Sequence, residues 1–121
     1  MNPAVKAKWL EALRSEKYLQ GVGCLKKGEE YCCLGVLADL YLEETGGKWE
    51  KGEVVGLDYC EGEAYLLPSK VQEWSAVGES GEFHGENPLD YCTLSGCNDN
   101  GKTFAEIAAL IELGLDSLAT Q

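Results

Sequence analysis

The stretch of sequence that decides the fold lies at residues 31–41 and reads Tyr31-Cys32-Cys33-Leu34-Gly35-Val36-Leu37-Ala38-Asp39-Leu40-Tyr41. It is the longest apolar run in the chain, and its apolar residues recur at helical spacing, which predicts a helix over about residues 32–44. The glycine pair at 46–47 ends that helix, because glycine readily adopts the left-handed conformation of a C-cap. The segment is therefore predicted to be a core helix.

One face of this helix is unusual. Cys32, Gly35 and Asp39 fall together at steps of three or four residues, on the less apolar side. A glycine there lets another backbone or a flat ligand approach closely. Cys33, in contrast, lies with the leucines and is expected to be a small core residue. The Cys32, Gly35 and Asp39 face is therefore predicted to be a close-approach surface, packed on the sheet, on a second subunit or on a ligand.

Three further helices are predicted outside this segment. A first helix over about residues 3–15 follows the cap residue Asn2 and has apolar residues at helical spacing. A short helix follows Pro68. The last helix follows Thr103 and Glu106, whose spacing is that of a capping box. With the central helix, these patterns predict about four helices.

The remaining segments predict a small sheet. Glycines break residues 18–25 and 48–67 into short aromatic and aliphatic pieces, which favours short strands, and residues 26–30 are predicted to be a polar turn between them. Residues 78–90 are expected to form an acidic loop, and residues 98–101 a turn. We therefore predict an α+β fold, with residues 1–121 as a single small domain whose helices pack on a small, mainly antiparallel sheet.

The composition indicates a folded, acidic protein. The chain has 121 residues, 45% of them hydrophobic, which suffices for one domain with a real core. Its net charge of −11 opposes the counterion release on which nucleic-acid binding depends, so general nucleic-acid binding is not expected. There is no basic start followed by an apolar segment, and no apolar run long enough to span a membrane. We expect a chain that begins near Met1 and stays in the cytosol, with its six cysteines reduced.

The sets of residues that catalysis or metal binding would need are incomplete. Cys32 lies near a helix start, which favours the thiolate form of a cysteine nucleophile. The only histidine that could serve as its base is His84, which lies in an acidic segment that disfavours a thiolate. A zinc site could be drawn from Cys60, His84, Cys92 and Cys97, but the Cys-x4-Cys pair at 92 and 97 has no second ligand pair. We therefore predict no catalytic residue, no metal site and no cofactor.

A ligand-binding set can be drawn from the first half of the chain. Most of the basic side chains lie before residue 31, where they either form the solvated face of a helix and a turn or hold a small anion. An aromatic face, an amide and a cation together suit a nucleotide, and the glycine turn brings such groups close. The predicted ligand-binding residues, including two from the central helix, are Arg14, Lys17, Tyr18, Gln20, Cys32 and Asp39.

Four segments spread over nearly the whole chain carry a resemblance. They read Lys8-Trp9-Leu10-x-Ala12-Leu13-Arg14-Ser15-x-x-Tyr18-x-Gln20-Gly21, then Tyr31 to Leu40 as quoted above, then Leu66-Leu67-Pro68-x-x-Val71-x-x-Trp74, and finally Asn98-Asp99-x-Gly101-x-Thr103-Phe104-x-Glu106-Ile107-Ala108. In these segments the chain resembles a family of small uncharacterised proteins that phages and prophages encode. Members of that family usually have a leucine where this chain has Cys97.

The resemblance implies an accessory phage product that acts in the cytosol of the infected bacterium. The favoured hypothesis is a non-catalytic small-molecule binder, for example one that sequesters a host nucleotide immune signal and encloses it in a homo-oligomer. The alternatives are an acidic, DNA-mimic-like inhibitor that binds a host protein through residues 43–90, and a small hydrolase with an unrecognised site.

Overall fold

Five helices, a five-stranded sheet and a separate pair of strands make up the computed structural model, which describes residues 2–84 and 91–112. The helices are α1 (Pro3–Arg14), α2 (Cys33–Thr45), α3 (Ser69–Ser75), α4 (Leu94–Asp99) and α5 (Phe104–Leu110). The strands are β1 (Leu19–Gln20), β2 (Lys26–Lys27), β3 (Glu30–Tyr31), β4 (Glu50–Lys51), β5 (Asp58–Tyr59), β6 (Glu82–His84) and β7 (Tyr91–Thr93). The predicted α+β class is confirmed, and the number of helices is close to the predicted four.

The main sheet is mixed, with strand order β1-β3-β2-β5-β4. Only β1 and β3 run parallel; the other neighbours are antiparallel, as the sequence predicted. Residues 26–30 were predicted as a polar turn; residues 26–31 instead form the hairpin of β2 and β3, in which Gly28 takes a φ of 63°. Each strand has two residues, too few to be stable alone, so the sheet depends on the helices that pack against it.

Helix α1 begins and packs as its sequence predicts. The side chain of Asn2 accepts hydrogen bonds from the first-turn N–H groups at 3.0 and 3.3 Å. Val5, Trp9 and Leu13 form its buried face. The indole N–H of Trp9, which is fully buried, donates to the carbonyl oxygen of Cys33 at 3.0 Å. This hydrogen bond fastens α1 to the first turn of α2.

Helix α2 is the centre of the core, and seven of its thirteen residues are buried. Cys32 is its N-cap rather than its first helical residue, and the Cys32 sulfur accepts the N–H of Gly35 at 3.3 Å. Gly46 ends the helix in the left-handed conformation, with a φ of 76°, as predicted. An apolar helix with caps at both ends provides the surface on which the short strands assemble.

Gly35 allows the sheet to approach α2 closely. A Cβ built on Gly35 would overlap the carbonyl oxygen of Leu25 and lie 2.7 Å from its carbonyl carbon. The same oxygen accepts the N–H of Cys32 at 3.1 Å, while the N–H of Leu25 donates to Ala64 at 2.7 Å. Of the three partners considered for this glycine, the backbone leading into the sheet is therefore the one that occupies the space.

Helix α4 is the element that the sequence did not indicate. Asn98 and Asp99, predicted to begin a turn, end this helix instead, and the turn follows at Gly101 with a φ of 97°. The helix is short, and glycine, serine, asparagine and aspartate give it low intrinsic propensity. What starts it is the side chain of Thr93, which accepts the N–H of Gly96 at 3.0 Å.

The side chain of Asn98 joins three elements. It is fully buried, and its Oδ1 accepts the N–H of Cys33 at 3.2 Å and the side-chain amide of Gln20 at 2.9 Å. Its Nδ2 donates to the carbonyl oxygen of Gly21 at 2.7 Å. One buried amide thus connects the start of α2, the end of β1 and the end of α4.

Some sequence predictions fall where the structure is only partly described. The predicted acidic loop at 78–90 includes β6, and residues 85–90 lie outside the described residues. The sequence also predicts that Ile107, Ala108, Ile111 and Leu115 lie along one apolar stripe of the last helix. The first three are buried, Ile111 at the C-cap of α5, while Leu115 lies outside the described residues. In the part of the chain that the structure covers, no helix combines the length and the apolar character needed to cross a bilayer.

Replacing Gly35 with alanine should lower the free energy of unfolding by about 2 kcal/mol, because a Cβ there displaces Leu25 from a packed position. Urea denaturation followed by tryptophan fluorescence measures the change. Glu44→Ala, at an exposed position of the same helix, should change stability by less than about 0.5 kcal/mol. A gain of stability in Gly35→Ala, as helix propensity alone predicts, would contradict the close approach.

Replacing Asn98 with alanine should lower the free energy of unfolding by about 3 kcal/mol, because buried partners of the amide lose their hydrogen bonds. The matched control is Asn100→Ala, which alters an exposed asparagine in the same turn. Equal stability of the two variants in denaturant titrations would show that the buried network does not support the fold.

Candidate functional site

Three of the six predicted ligand-binding residues lie together. Lys17, Tyr18 and Asp39 line an open cleft of about 510 Å³ between the β1, β3 and β2 side of the sheet and α2. We call it the tyrosine cleft; Lys26 and Tyr31 also line it. The other three predicted residues, Arg14, Gln20 and Cys32, are engaged in contacts that hold the fold together.

Arg14 and Gln20 each connect distant parts of the chain. The guanidinium of Arg14 donates to both carboxylate oxygens of Glu112, at 3.2 and 2.9 Å. This hydrogen-bonded pair raises the pKa of Arg14 above its usual value. The amide of Gln20 donates to Asn98 and, at 2.7 Å, to the carbonyl oxygen of Lys102. In these positions the two side chains tie α1 and β1 to the last described helices.

The thiol of Cys32 is buried and remains protonated at neutral pH. Burial raises its pKa to about 11. Burial also raises the pKa of Cys60 to about 12, and it raises that of Cys33 well above the usual value. Cys24, Cys32, Cys33 and Cys60 form no disulfide bond, and burial raises the pKa of the Cys24 thiol as well. These thiols are core groups, and none has the lowered pKa of a nucleophile.

The carboxylate of Asp39 is held in place by two aromatic donors. Its Oδ2 accepts the hydroxyl of Tyr18 at 2.6 Å, and its Oδ1 accepts the indole N–H of Trp49 at 3.0 Å. Burial, followed by the hydrogen bond to Asp39, raises the pKa of Tyr18 far above its usual value, so the phenol stays a donor. Asp39 is therefore an acceptor group fixed at one side of the cleft.

An aromatic cluster surrounds this carboxylate. The rings of Tyr18 and Tyr31 meet edge to face with their centroids 4.9 Å apart, and Trp49 continues the series 6.2 Å from Tyr31. Burial, with the nearby charge of Asp39 next in importance, raises the pKa of Tyr31 to about 12. Edge-to-face contacts of this kind are favourable and directional, and they keep the rings in fixed orientations.

Lys26 is a fixed cation in the tyrosine cleft. Its ammonium group donates to Asp58 at 2.9 Å and to the carbonyl oxygen of Gly28 at 2.6 Å. It also lies 5.4 Å from the centroid of the Tyr31 ring. Asp58 is buried and accepts a second ion pair from Lys51 at 2.7 Å. Asp58 thus shares its single negative charge between Lys26 and Lys51, and its contacts hold the Lys26 ammonium group in place.

Lys17 is a freer cation at the edge of the cleft. Its side chain is 66% exposed, lies 5.5 Å over the Tyr18 ring and pairs with Glu43 at 3.9 Å. An exposed pair of that length contributes little and yields easily to another anion. Lys17 and Tyr18 also line a second, smaller cleft of about 220 Å³, together with Lys8 and Ser15 of the α1 side. We call it the helix cleft; the two clefts meet at Lys17 and Tyr18.

The chemistry available in the two clefts is that of binding. Aromatic rings, a fixed carboxylate, hydroxyl donors and cations can recognise a ligand, and the raised pKa values of Cys32, Tyr18 and Tyr31 keep these three groups protonated at neutral pH. Among the side chains that the structure describes, at residues 2–81 and 93–112, no three of histidine, cysteine, aspartate or glutamate are grouped so as to hold a metal ion. The side chains of His84 and Cys92 lie outside the described part of the structure.

Tyr31, Lys26 and Trp49 were not among the predicted site residues. Their positions in the sequence do not indicate that they lie close together. Their proximity depends on the hairpin of β2 and β3, which was predicted as a simple turn. In that hairpin Lys26 is paired directly with Tyr31. The one available signal was the position of Tyr31 immediately before the Cys32 cap of α2, since a strand entering the central helix brings its side chain beside that helix.

The ionised form of Asp58 should contribute to stability near neutral pH. Burial alone would raise its pKa, but hydrogen bonds from Lys51 and Lys26 outweigh burial and lower it. A lowered pKa in the folded state stabilises the protein above the unfolded pKa of about 3.9, and this stability is lost as the pH falls through the folded value. Asp58→Asn should therefore reduce the free energy of unfolding at pH 7, and the difference from the parent protein should shrink below about pH 4 in urea titrations. A difference that stays constant with pH would contradict the assignment.

Comparison with known proteins places the chain in a family without assigning it an activity. No curated protein and no solved structure matches the chain. The model of one protein family, described as a domain of unknown function (DUF8296), matches residues 1–115 of the 121. The match therefore covers every element described above. The chain belongs to the family of the domain of unknown function DUF8296.

Proposed function

We propose that this chain is a phage accessory protein that binds a nucleotide-type small molecule without reacting with it and sequesters it in the cytosol of the bacterial host. The observation that carries the proposal is the tyrosine cleft, in which Tyr18, Tyr31 and the fixed carboxylate of Asp39 line one space of about 510 Å³. Clefts of about 300–1,000 Å³ with aromatic walls and a few placed polar groups are typical ligand sites. The phage origin rests on the four sequence segments that resemble phage and prophage proteins.

The charges around the clefts support a ligand with two different ends. Asp39 offers acceptors for the N–H groups of a base beside aromatic rings. Lys8 and Lys17 lie at the helix cleft, and their existing ion pairs are long, at 4.0 and 3.9 Å. A phosphate can replace such exposed partners at small cost. Two joined clefts with these contents suit a nucleotide better than a purely apolar compound.

The open shape of the tyrosine cleft supports a role for a second subunit. A sequestering protein holds its ligand long enough only if the complex dissociates slowly, and covering the cleft would slow dissociation. A homo-oligomer that covers the cleft is therefore part of the proposal. Size-exclusion chromatography with light scattering, with and without nucleotide, measures the oligomeric state directly.

A second candidate function is inhibition of a basic host protein. In its favour, the turn between β4 and β5 exposes Val55 almost completely, at 97%, and Val54 at 45%, next to the acidic side chains of Glu50 and Glu53. Exposed apolar residues within an acidic surface are a plausible contact for a basic partner. The net charge of −11 also supports this second function, because it attracts a basic partner towards the protein.

Thermal-shift titration with linear, cyclic and ADP-ribose-type nucleotides tests the first function. A ligand at one hundred times its dissociation constant should stabilise the protein by about 2.7 kcal/mol and raise the melting temperature by several degrees. Lys17→Ala should weaken binding about fivefold, or ~1 kcal/mol, because it removes the cation shared by both clefts.

The matched control for this experiment is Lys48→Ala, which removes an exposed lysine that lines neither cleft. It should leave both stability and affinity unchanged. No shift with any nucleotide, together with binding to a basic protein that Val55→Asp abolishes, would replace the first function with the second. Appearance of a new compound in chromatography of the nucleotide mixture would show that the protein is an enzyme.

A further inference from the structure

We infer that the base recognised in the tyrosine cleft is guanine, with its Watson–Crick edge on Asp39 and its phosphate directed towards Lys17 and the helix cleft. This inference rests on the proposed nucleotide-binding function and names the ligand class for the same site. It follows from three features of the clefts: the unused acceptor capacity of Asp39, the aromatic surface beside it, and the exposed, weakly paired lysines of the helix cleft.

The carboxylate of Asp39 has acceptor capacity left on both oxygens. Each oxygen accepts one hydrogen bond from within the protein, from Tyr18 and Trp49 respectively. An ionised carboxylate has about four lone-pair sites in all, so about one remains on each oxygen. Asp39 lines the cleft and is partly exposed, so a ligand can reach it. The remaining capacity suits two parallel N–H donors on one planar group.

Guanine is the base that presents such a pair. Its N1–H and its 2-amino group point in the same direction and match the two oxygens of a carboxylate, as a bidentate guanidinium does. Adenine and cytosine place an acceptor beside their amino group, and uracil places carbonyl oxygens on both sides of its single N–H. A carboxylate facing one of those edges would place one of its oxygens beside an acceptor atom of the base, with no hydrogen bond between them, which is unfavourable.

The aromatic surface lies where the base would be. Tyr31 is half-buried and lines the cleft together with Tyr18 and Asp39. Its ring orientation is fixed by edge-to-face contacts with Tyr18 and Trp49. Contact between a base and an aromatic ring adds binding energy without discriminating between bases. Discrimination therefore falls to Asp39.

The arrangement of charges sets the direction of the ligand. Glu29, Asp39 and Glu43 line the tyrosine cleft with Lys17 and Lys26, and Lys26 is already paired with Asp58. A phosphate is therefore disfavoured there. Lys8 and Lys17 line the helix cleft, and their exposed ion pairs with Glu44 and Glu43 are long, at 4.0 and 3.9 Å. A phosphate can replace such partners at small cost, so the anionic end fits on that side. Agmatine, a guanidinium compound, shares the donor pair of guanine but has no anionic end to use this region.

Isothermal titration with GMP, IMP, AMP and agmatine tests the inference on the unmodified protein. GMP should bind about tenfold or more tightly than IMP, which lacks only the 2-amino group, and than AMP. In Asp39→Asn the preference for GMP over IMP should disappear. The matched control is Lys48→Ala, at an exposed position that lines neither cleft, which should retain the preference.

The outcomes separate the inference from the proposed function. Equal affinity for GMP, IMP and AMP would overturn guanine recognition and leave nucleotide binding intact. Binding of agmatine more tightly than GMP would assign the donor pair to a guanidinium ligand and overturn guanine as well. Failure of every nucleotide to bind would overturn both. If Asp39→Asn does not fold, the comparison of GMP with IMP on the unmodified protein still decides the question.

Discussion

The carbonyl oxygen of Leu25 rests against the backbone of Gly35, and the positions of the sheet and of the tyrosine cleft both depend on this contact. The same oxygen accepts the N–H of Cys32, so the segment before β2 and the first turn of α2 are joined at one atom. Asp39 lies one helical turn beyond Gly35 on the same face. A close approach at residue 35 therefore brings Asp39 within hydrogen-bonding distance of Tyr18 and Trp49.

Buried polar groups make further connections between the helices and the strands. Asn98 connects α2, α4 and β1, and Asp58 connects the two lysines of β2 and β4. Among the described residues, every buried side-chain nitrogen and oxygen has a hydrogen-bond partner. Strands of two residues contribute few ladder hydrogen bonds, and these side-chain connections supply the specificity that longer strands would otherwise provide.

The sequence predicted the elements with local signals and missed those that depend on distant partners. Asn2 and the glycines after α2 mark helix ends by their own chemistry, so the bounds of α1 and α2 were predicted to within one residue. Helix α4 has no such apolar pattern and owes its buried position to Asn98. Lys17, Tyr18 and Asp39 line one cleft because two of them are adjacent in sequence and the third lies on the glycine face of α2, and whether they bind a ligand stays a prediction. Gln20 carries the chemistry of a ligand contact, but its amide binds Asn98, which no local pattern indicates.

The reaction of the buried cysteines with a thiol reagent can report how often the core opens. Cys33 and Cys60 have no exposed surface, and burial keeps their thiols protonated at neutral pH. A reagent that alkylates thiolates can reach them only after the core around α2 opens. The rate of their modification in native conditions therefore measures how often the core exposes itself. Any molecule that occupies the tyrosine cleft and holds α2 in place would slow that rate, whether or not its binding produces any other signal.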